Sequence, residues 1–454
     1  MTHKWLLALF AFFPSFALAH AGQQGLILLL PTQIYILSGG LAVVLTVVLA
    51  AFMKHRFLKT LFTPHPIAPL PAARQIFTSL ASTFAFFAMI WLGLFGPHDP
   101  LANLMSLGVW TGVWIGLVLL CGIFGNLWAW LNPWSGIFAL LAGKDPSPPF
   151  QLPESIGHWP AIALLMGFNG FGIASAAATD PQLLAILGCL YWMFTFVMMM
   201  LFGAETWLQR GEFLTVFIGL LAKISPFQRG ETLNIGCPGW RIAQSPTPSL
   251  SLALFALILL GTGTFDGLNE TFFWLIQLGI NPLDFPGRSA IVPQTLTGLI
   301  VVNIGLCVIF YLCVWLTAPA KQTGELFRRQ ALTILPIALA YHFAHFLPSF
   351  LVDGQYALVA LSNPLNNGAD YFNLGPFFVT TGFFNTTATV RVIFLSQASG
   401  IVLGHILAIL LSHRVASDFF ATRRAVLISQ IPLSAFMIGY TILGLWLLAT
   451  PKGA

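Results

Sequence analysis

Charge is what this sequence has least of. Of 454 residues only 7% are Asp, Glu, Lys or Arg, against about 25% in soluble domains. So little charge cannot clothe a water-facing globule. Acids are the scarcer sign, with 14 Asp and Glu against 19 Lys and Arg. A carboxylate-rich binuclear metal centre has little to be built from. Cysteine is sparse too: Cys121, Cys189, Cys237, Cys307 and Cys313, with no CxxC pair. Neither a disulfide framework nor a thiolate metal site is indicated. No HExxH, GxSxG or Walker A string occurs. These absences remove zincins, serine-hydrolase elbows and intrinsic nucleotide hydrolysis. No internal repeat signals a transporter of inverted halves. The alternating ten-residue pattern of an outer-membrane barrel is also missing.

Apolar surface is what the chain does have. It is 57% hydrophobic with 42 Phe and 14 Trp, and its mean hydropathy is +0.86. Apolar runs of about 20 residues recur, which predicts an all-α bundle of helices in a bilayer. Ten spans are expected, near 30–53, 75–96, 107–130, 160–179, 182–203, 248–265, 294–317, 329–351, 391–412 and 425–448. The opening MTHKWLLALFAFFPSFALA reads as a secretory signal over residues 1–19. Lys4 is its charged end, Trp5 to Phe13 its apolar core, and Ala17-Leu18-Ala19 its cleavage site. An uncleaved anchor is the alternative. Residues 20–454 then form one transmembrane domain.

Basic residues orient that domain. With the mature N-terminus outside, fifteen Lys and Arg fall in inner segments and three, Arg288, Arg391 and Lys452, fall outside. The asymmetry places both termini on the outer, periplasmic side. It also makes the net charge of +5 a set of anchors beside anionic lipid, with no nucleic-acid surface. Segments 132–144 and 211–227 are expected as amphipathic inner-loop helices at the headgroups, or as aromatic-belt anchors. Outer segments 266–293 and 352–390 are long, and WLIQLGI and YALVALS within them are apolar enough to re-enter the membrane or cover a cavity.

Chemistry concentrates in ALAYHFAHFLPSF, residues 338–350. His342 and His345 are three apart, so on a helix their rings lie about 60° apart on one face. Ionisable groups inside a membrane are costly and turn to a cavity or to each other. His405 lies in the ninth span beside Gly400 and Gly404, a GxxxG that permits close helix approach. Three histidines make a metal site the sharp expectation, with haem, proton relay or plain interhelical hydrogen bonding as alternatives. Their estimated depths differ: ~14 Å, ~9 Å and ~21 Å below the outer ends of their spans for His342, His345 and His405. Pro336 and Pro348 are expected to kink the eighth span. Asp266, ending the sixth span, and Asp353, capping the eighth, are candidate catalytic carboxylates or metal ligands; their alternative role is to end a helix in water. Asn169, Gln355 and Gln397 are further polar candidates, and His413 beside Arg414 is expected at the inner boundary. If cleavage exposes His20, its amine and imidazole together suit copper, unless the position is a coincidence of the cleavage site.

A resemblance joins these motifs. ETWLQRGEFLTVFIGLLAKISPF, TFDGLNET, AYHFAHFLPSFLVDGQYALVALSNP followed by ADYFNLG, and GHILAILLSH, in that order, are similar to multi-pass bacterial membrane proteins named fenitrothion hydrolase. The likeness runs from about residue 20 to the end. It implies a bacterial inner-membrane protein that hydrolyses organophosphate triesters, and it brings no catalytic residues with it. For that chemistry a divalent metal on His342, His345 and either His405 or Asp353 would activate a water. An apolar cleft would take the substrate. The rival expectations are a permease or metal-handling protein using the same histidines for a cation or proton, and a haem-bearing redox subunit.

Overall fold

The computed structural model describes residues 26–70, 75–143 and 147–452. The expected signal segment, His20, Arg74 and Lys144 lie outside the described residues. Within them, nine helical stretches are long and apolar enough to cross a membrane. We number the long helices α1 Thr32–Phe52, α2 Gln75–Phe95, α3 Leu104–Phe124, α4 Trp159–Ala174, α5 Pro181–Phe202, α6 Leu250–Asn269, α7 Val292–Trp315, α8 Leu335–Ser362, α9 Thr387–Phe419 and α10 Arg423–Ala449. All ten follow the expected runs. Only α4, with 16 residues, is shorter than a comfortable span. Many Leu, Ile, Val and Phe side chains are exposed along the long helices, as a lipid-facing surface requires.

Bases gather at one end of the bundle. The α1 and α10 ends meet there, where Arg423 donates to the Ala51 carbonyl. On the same face His55 and Arg414 both reach Asp418. A small sheet closes this basic face: β1 His65–Pro69, β2 Phe227–Arg229 and β3 Thr232–Ile235, antiparallel in the order β1-β3-β2.

Both expected surface helices are instead inserted among the long ones. After α3, Asn132 and Pro133 reach the first third of α2, where Ser79 and Thr83 donate to their carbonyls. Trp134 Nε1 donates to the Trp192 carbonyl, halfway along α5. After α5, the chain climbs through Ala204–Arg210 and returns through Phe213–Leu221. At the apex, the fully buried Glu212 caps the returning helix by accepting from Leu214 N and Thr215 N, and it also accepts from the Tyr191 hydroxyl. Phe213, Val216, Phe217, Ile218, Leu220 and Leu221 are all buried. The headgroup placement of 211–227 is therefore corrected. The physical reason is a partner the sequence does not name: Glu212 at the apex bonds Tyr191 of α5, which holds the apolar faces of the returning helix inside the bundle.

Helices α8 and α9 pack closely near the histidines. A Cβ at Gly404 would lie 2.5 Å from Ala340 Cβ and 2.7 Å from the Pro336 carbonyl oxygen. The GxxxG thus brings α9 backbone onto α8, as its spacing predicts. Pro336 sits in the first turn of α8, where a missing N–H is harmless. Pro348 lies inside α8 and leaves the Ala344 carbonyl without its helical donor. Gln397 Nε2 of α9 supplies that donor at 2.6 Å.

Candidate functional site

His342 and His345 face one small cavity bounded by α3, α4, α6, α8 and the inserted helix Phe213–Leu221. Its polar lining is Asn169, Thr262, Asp266, Tyr341 and the two histidines. Aromatic rings hold the imidazoles in place. Trp114 lies 5.6 Å from His342 and Phe217 lies 6.3 Å from it, between ring centroids. Phe346 packs edge-on against both histidines, at 4.8 Å and 4.7 Å.

Each ring has a specific partner. His342 Nε2 lies 2.7 Å from the Trp114 carbonyl oxygen. A carbonyl only accepts, so Nε2 carries the proton and Nδ1 is the lone-pair nitrogen of the neutral ring. Trp114 belongs to a π-helical stretch, Gly108–Leu117, inside α3. Such widened turns recur at functional sites. His345 Nε2 lies 2.9 Å from Asp266 Oδ2. The two side chains keep 17% and 29% of their exposure. Tyr341 stacks on His345, centroids 5.8 Å apart and planes 14° from parallel. Its hydroxyl presses on Gly267, one turn of α6 from Gly263, where there is no room for a side chain.

Asp266 is not the end of its helix, because α6 continues to Asn269. Its expected alternative role as a water-facing terminator is replaced by the contact with His345. Just beyond it, Glu270 pairs with Arg288 at 2.7 Å, and Phe272 N donates to the Pro451 carbonyl. The second contact ties the segment after α6 to the chain's last described residues.

His405 and Asp353 are not part of this cavity. His405 Nδ1 donates to the Ile401 carbonyl of its own helix at 2.8 Å, and its ring lies 6.5 Å from Tyr440 on α10. Its Nε2 is buried without a partner. The reason is rotation: Gly404 faces α8, and the next residue is turned 100° away. Tyr440 in turn bonds Thr264 of α6 through its hydroxyl. Asp353 does not cap α8, which runs on to Ser362. Asp and Gly at 353–354 do not stop a helix that continues into QYALVALS; Asn363 before Pro364 does.

The expected three-histidine metal site is therefore not assembled. Among the described residues, no three His, Cys, Asp or Glu side chains gather closely enough to hold a metal. Both cavity histidines have their Nε2 engaged. Of the other polar candidates, Asn169 lines the cavity and donates to Leu165. Gln397 serves Ala344, Gln355 ties the Thr380 loop to α8, and His413 is buried beside Arg414. Sequence reading missed Tyr341, Phe217 and the Trp114 carbonyl. Tyr341 adjoins His342 in the same motif; nothing local marks the other two.

The space a water centre can occupy in the cavity is about 30 Å³. That is room for about two waters and far below the 300–1,000 Å³ of ordinary ligand pockets. Comparison with family models, curated proteins and solved structures finds no match.

Proposed function

We propose that the protein is a proton-handling permease of the bacterial inner membrane. Its working centre is the His345–Asp266 pair, with His342 beside it. The observation that carries this reading is the 2.9 Å contact between His345 Nε2 and Asp266 Oδ2, inside two membrane-length helices, on a cavity of water size. Intramembrane His and Asp residues of this kind mark proton or ion routes. The pair offers a carboxylate that takes a proton and an imidazole that passes one on through its second nitrogen. Phe346 and Trp114 line the same narrow cavity, and the His342 tautomer set by the Trp114 carbonyl leaves Nδ1 with its lone pair. The asymmetry of basic residues supports an inner basic face, with both chain ends and Asp266 towards the outside.

Proteoliposomes holding a pH-sensitive dye test the reading. Wild type is expected to dissipate an imposed proton gradient, and Asp266→Asn and His345→Gln to do so at least tenfold more slowly. Equal rates in all three would reject it.

The organophosphate hydrolase implied by the sequence resemblance is the second reading. Its support is that an imidazole held by a carboxylate next to a water site has the form of a general base. It requires the cavity to open by roughly tenfold in volume to admit an aromatic triester. Release of nitrophenol from fenitrothion by the reconstituted protein, lost in His345→Gln, is its expected sign. A folded sample without turnover would dismiss it.

A further inference from the structure

A second and much larger hollow opens on the basic face, away from the histidines. It holds about 1,000 Å³ and lies between the end of α3, the turn Trp128–Leu131, the start of α2 and the β2–β3 hairpin. Two arginines line it, Arg229 and Arg241. Arg229 places its guanidinium 4.6 Å from the centre of the Trp130 ring. Arg241 Nη1 donates to the Ala222 carbonyl. Neither has a carboxylate partner among the described residues. Glu231, at the hairpin tip, is the one acid in the lining and pairs with neither. Lys223 stands behind, bonded to Ser245 rather than to an acid.

The apolar side of the hollow is equally specific. Phe124 ends α3 and is 56% exposed, and Ile123 beside it is 52% exposed. Leu127 and Leu131 continue the same wall. Cationic groups with no carboxylate partner therefore sit directly above an apolar surface at the end of a membrane helix. Arginine forks suit phosphate oxygens, Trp at this level suits the glycerol region, and exposed Phe and Leu suit acyl chains.

We propose that this hollow binds an anionic glycerophospholipid of the leaflet on the basic face, phosphate on Arg229 and Arg241 and acyl chains along Ile123, Phe124 and Leu131. A free phosphate would use the arginines but leave the apolar wall and most of the volume unfilled. The site is independent of the proton pair, which lies near the other end of α6.

Native mass spectrometry of the full-length protein, released from nanodiscs of phosphatidylcholine with phosphatidylglycerol, tests this. Wild type is expected to retain one phosphatidylglycerol in preference to phosphatidylcholine. Arg229→Gln is expected to retain about fivefold less, from about 1 kcal/mol per basic residue at the surface. Arg229→Lys should recover part of the loss, and Glu231→Gln should retain at least the wild-type amount. Arg229 is exposed, so its variants test binding without threatening the fold; Arg241→Gln adds support where its elution profile matches wild type. Equal retention by wild type and Arg229→Gln would overturn the proposal. So would equal retention of both lipids. Thermal stabilisation by inorganic phosphate alone, with no lipid preference, would overturn it in favour of a small-anion site.

Discussion

Pro348 shows how one residue sets the chemistry of its neighbours. It strips the Ala344 carbonyl of a helical donor, and Gln397 of α9 replaces it. Gln397→Leu is expected to destabilise by about 1–3 kcal/mol, the cost of a buried carbonyl left unpaired. In a Pro348→Ala background the helix supplies its own donor, so the same substitution should cost much less. A double-mutant cycle by thermal unfolding in detergent measures the coupling, and additive costs would contradict it. His158, just before α4, gives a pH dependence. Burial, and secondarily the Arg210 guanidinium, pull its imidazole down to about 4 from the ordinary 6.5. As pH falls through that window the unfolded chain takes the proton first, so stability present above 6.5 declines towards 4. His158→Gln should flatten this part of the melting-temperature profile. An unchanged slope would show that other groups set it.

At the scale of elements, the sequence reading succeeded where a pattern names a face and failed where a face depends on a partner. The HxxH spacing put His342 and His345 on one side of α8, and both line the cavity. The GxxxG signalled a close helix approach without naming the partner; Gly404 meets α8, and that same contact turns His405 towards α10. Asp266 was legible as a polar residue near a helix end, but its pairing with His345 depends on how α6 lies against α8. Gly404→Val should therefore separate α8 from α9 and cost about 1–3 kcal/mol by overpacking. Gly439→Val on α10, where a Cβ meets nothing within 4 Å, should cost far less. Similar losses in both would show that helix propensity, not contact, is being measured.

Across the whole molecule, the long helices were legible because hydropathy alone decides what a bilayer accepts. The two inserted hairpins were not. Phe213–Leu221 is apolar whether it lies on a membrane or inside a bundle, and only the buried contact of Glu212 with Tyr191 distinguishes the two. That insertion is what brings Phe217 onto His342 and reduces the cavity to water size, which steers the reading towards protons. pH-difference infrared spectroscopy of the reconstituted protein tests that claim at its source. A carboxyl band that appears and disappears with pH in wild type, and is missing in Asp266→Asn, is the expected result. A spectrum in which Asp266→Asn retains every pH-dependent carboxyl band of wild type would contradict it.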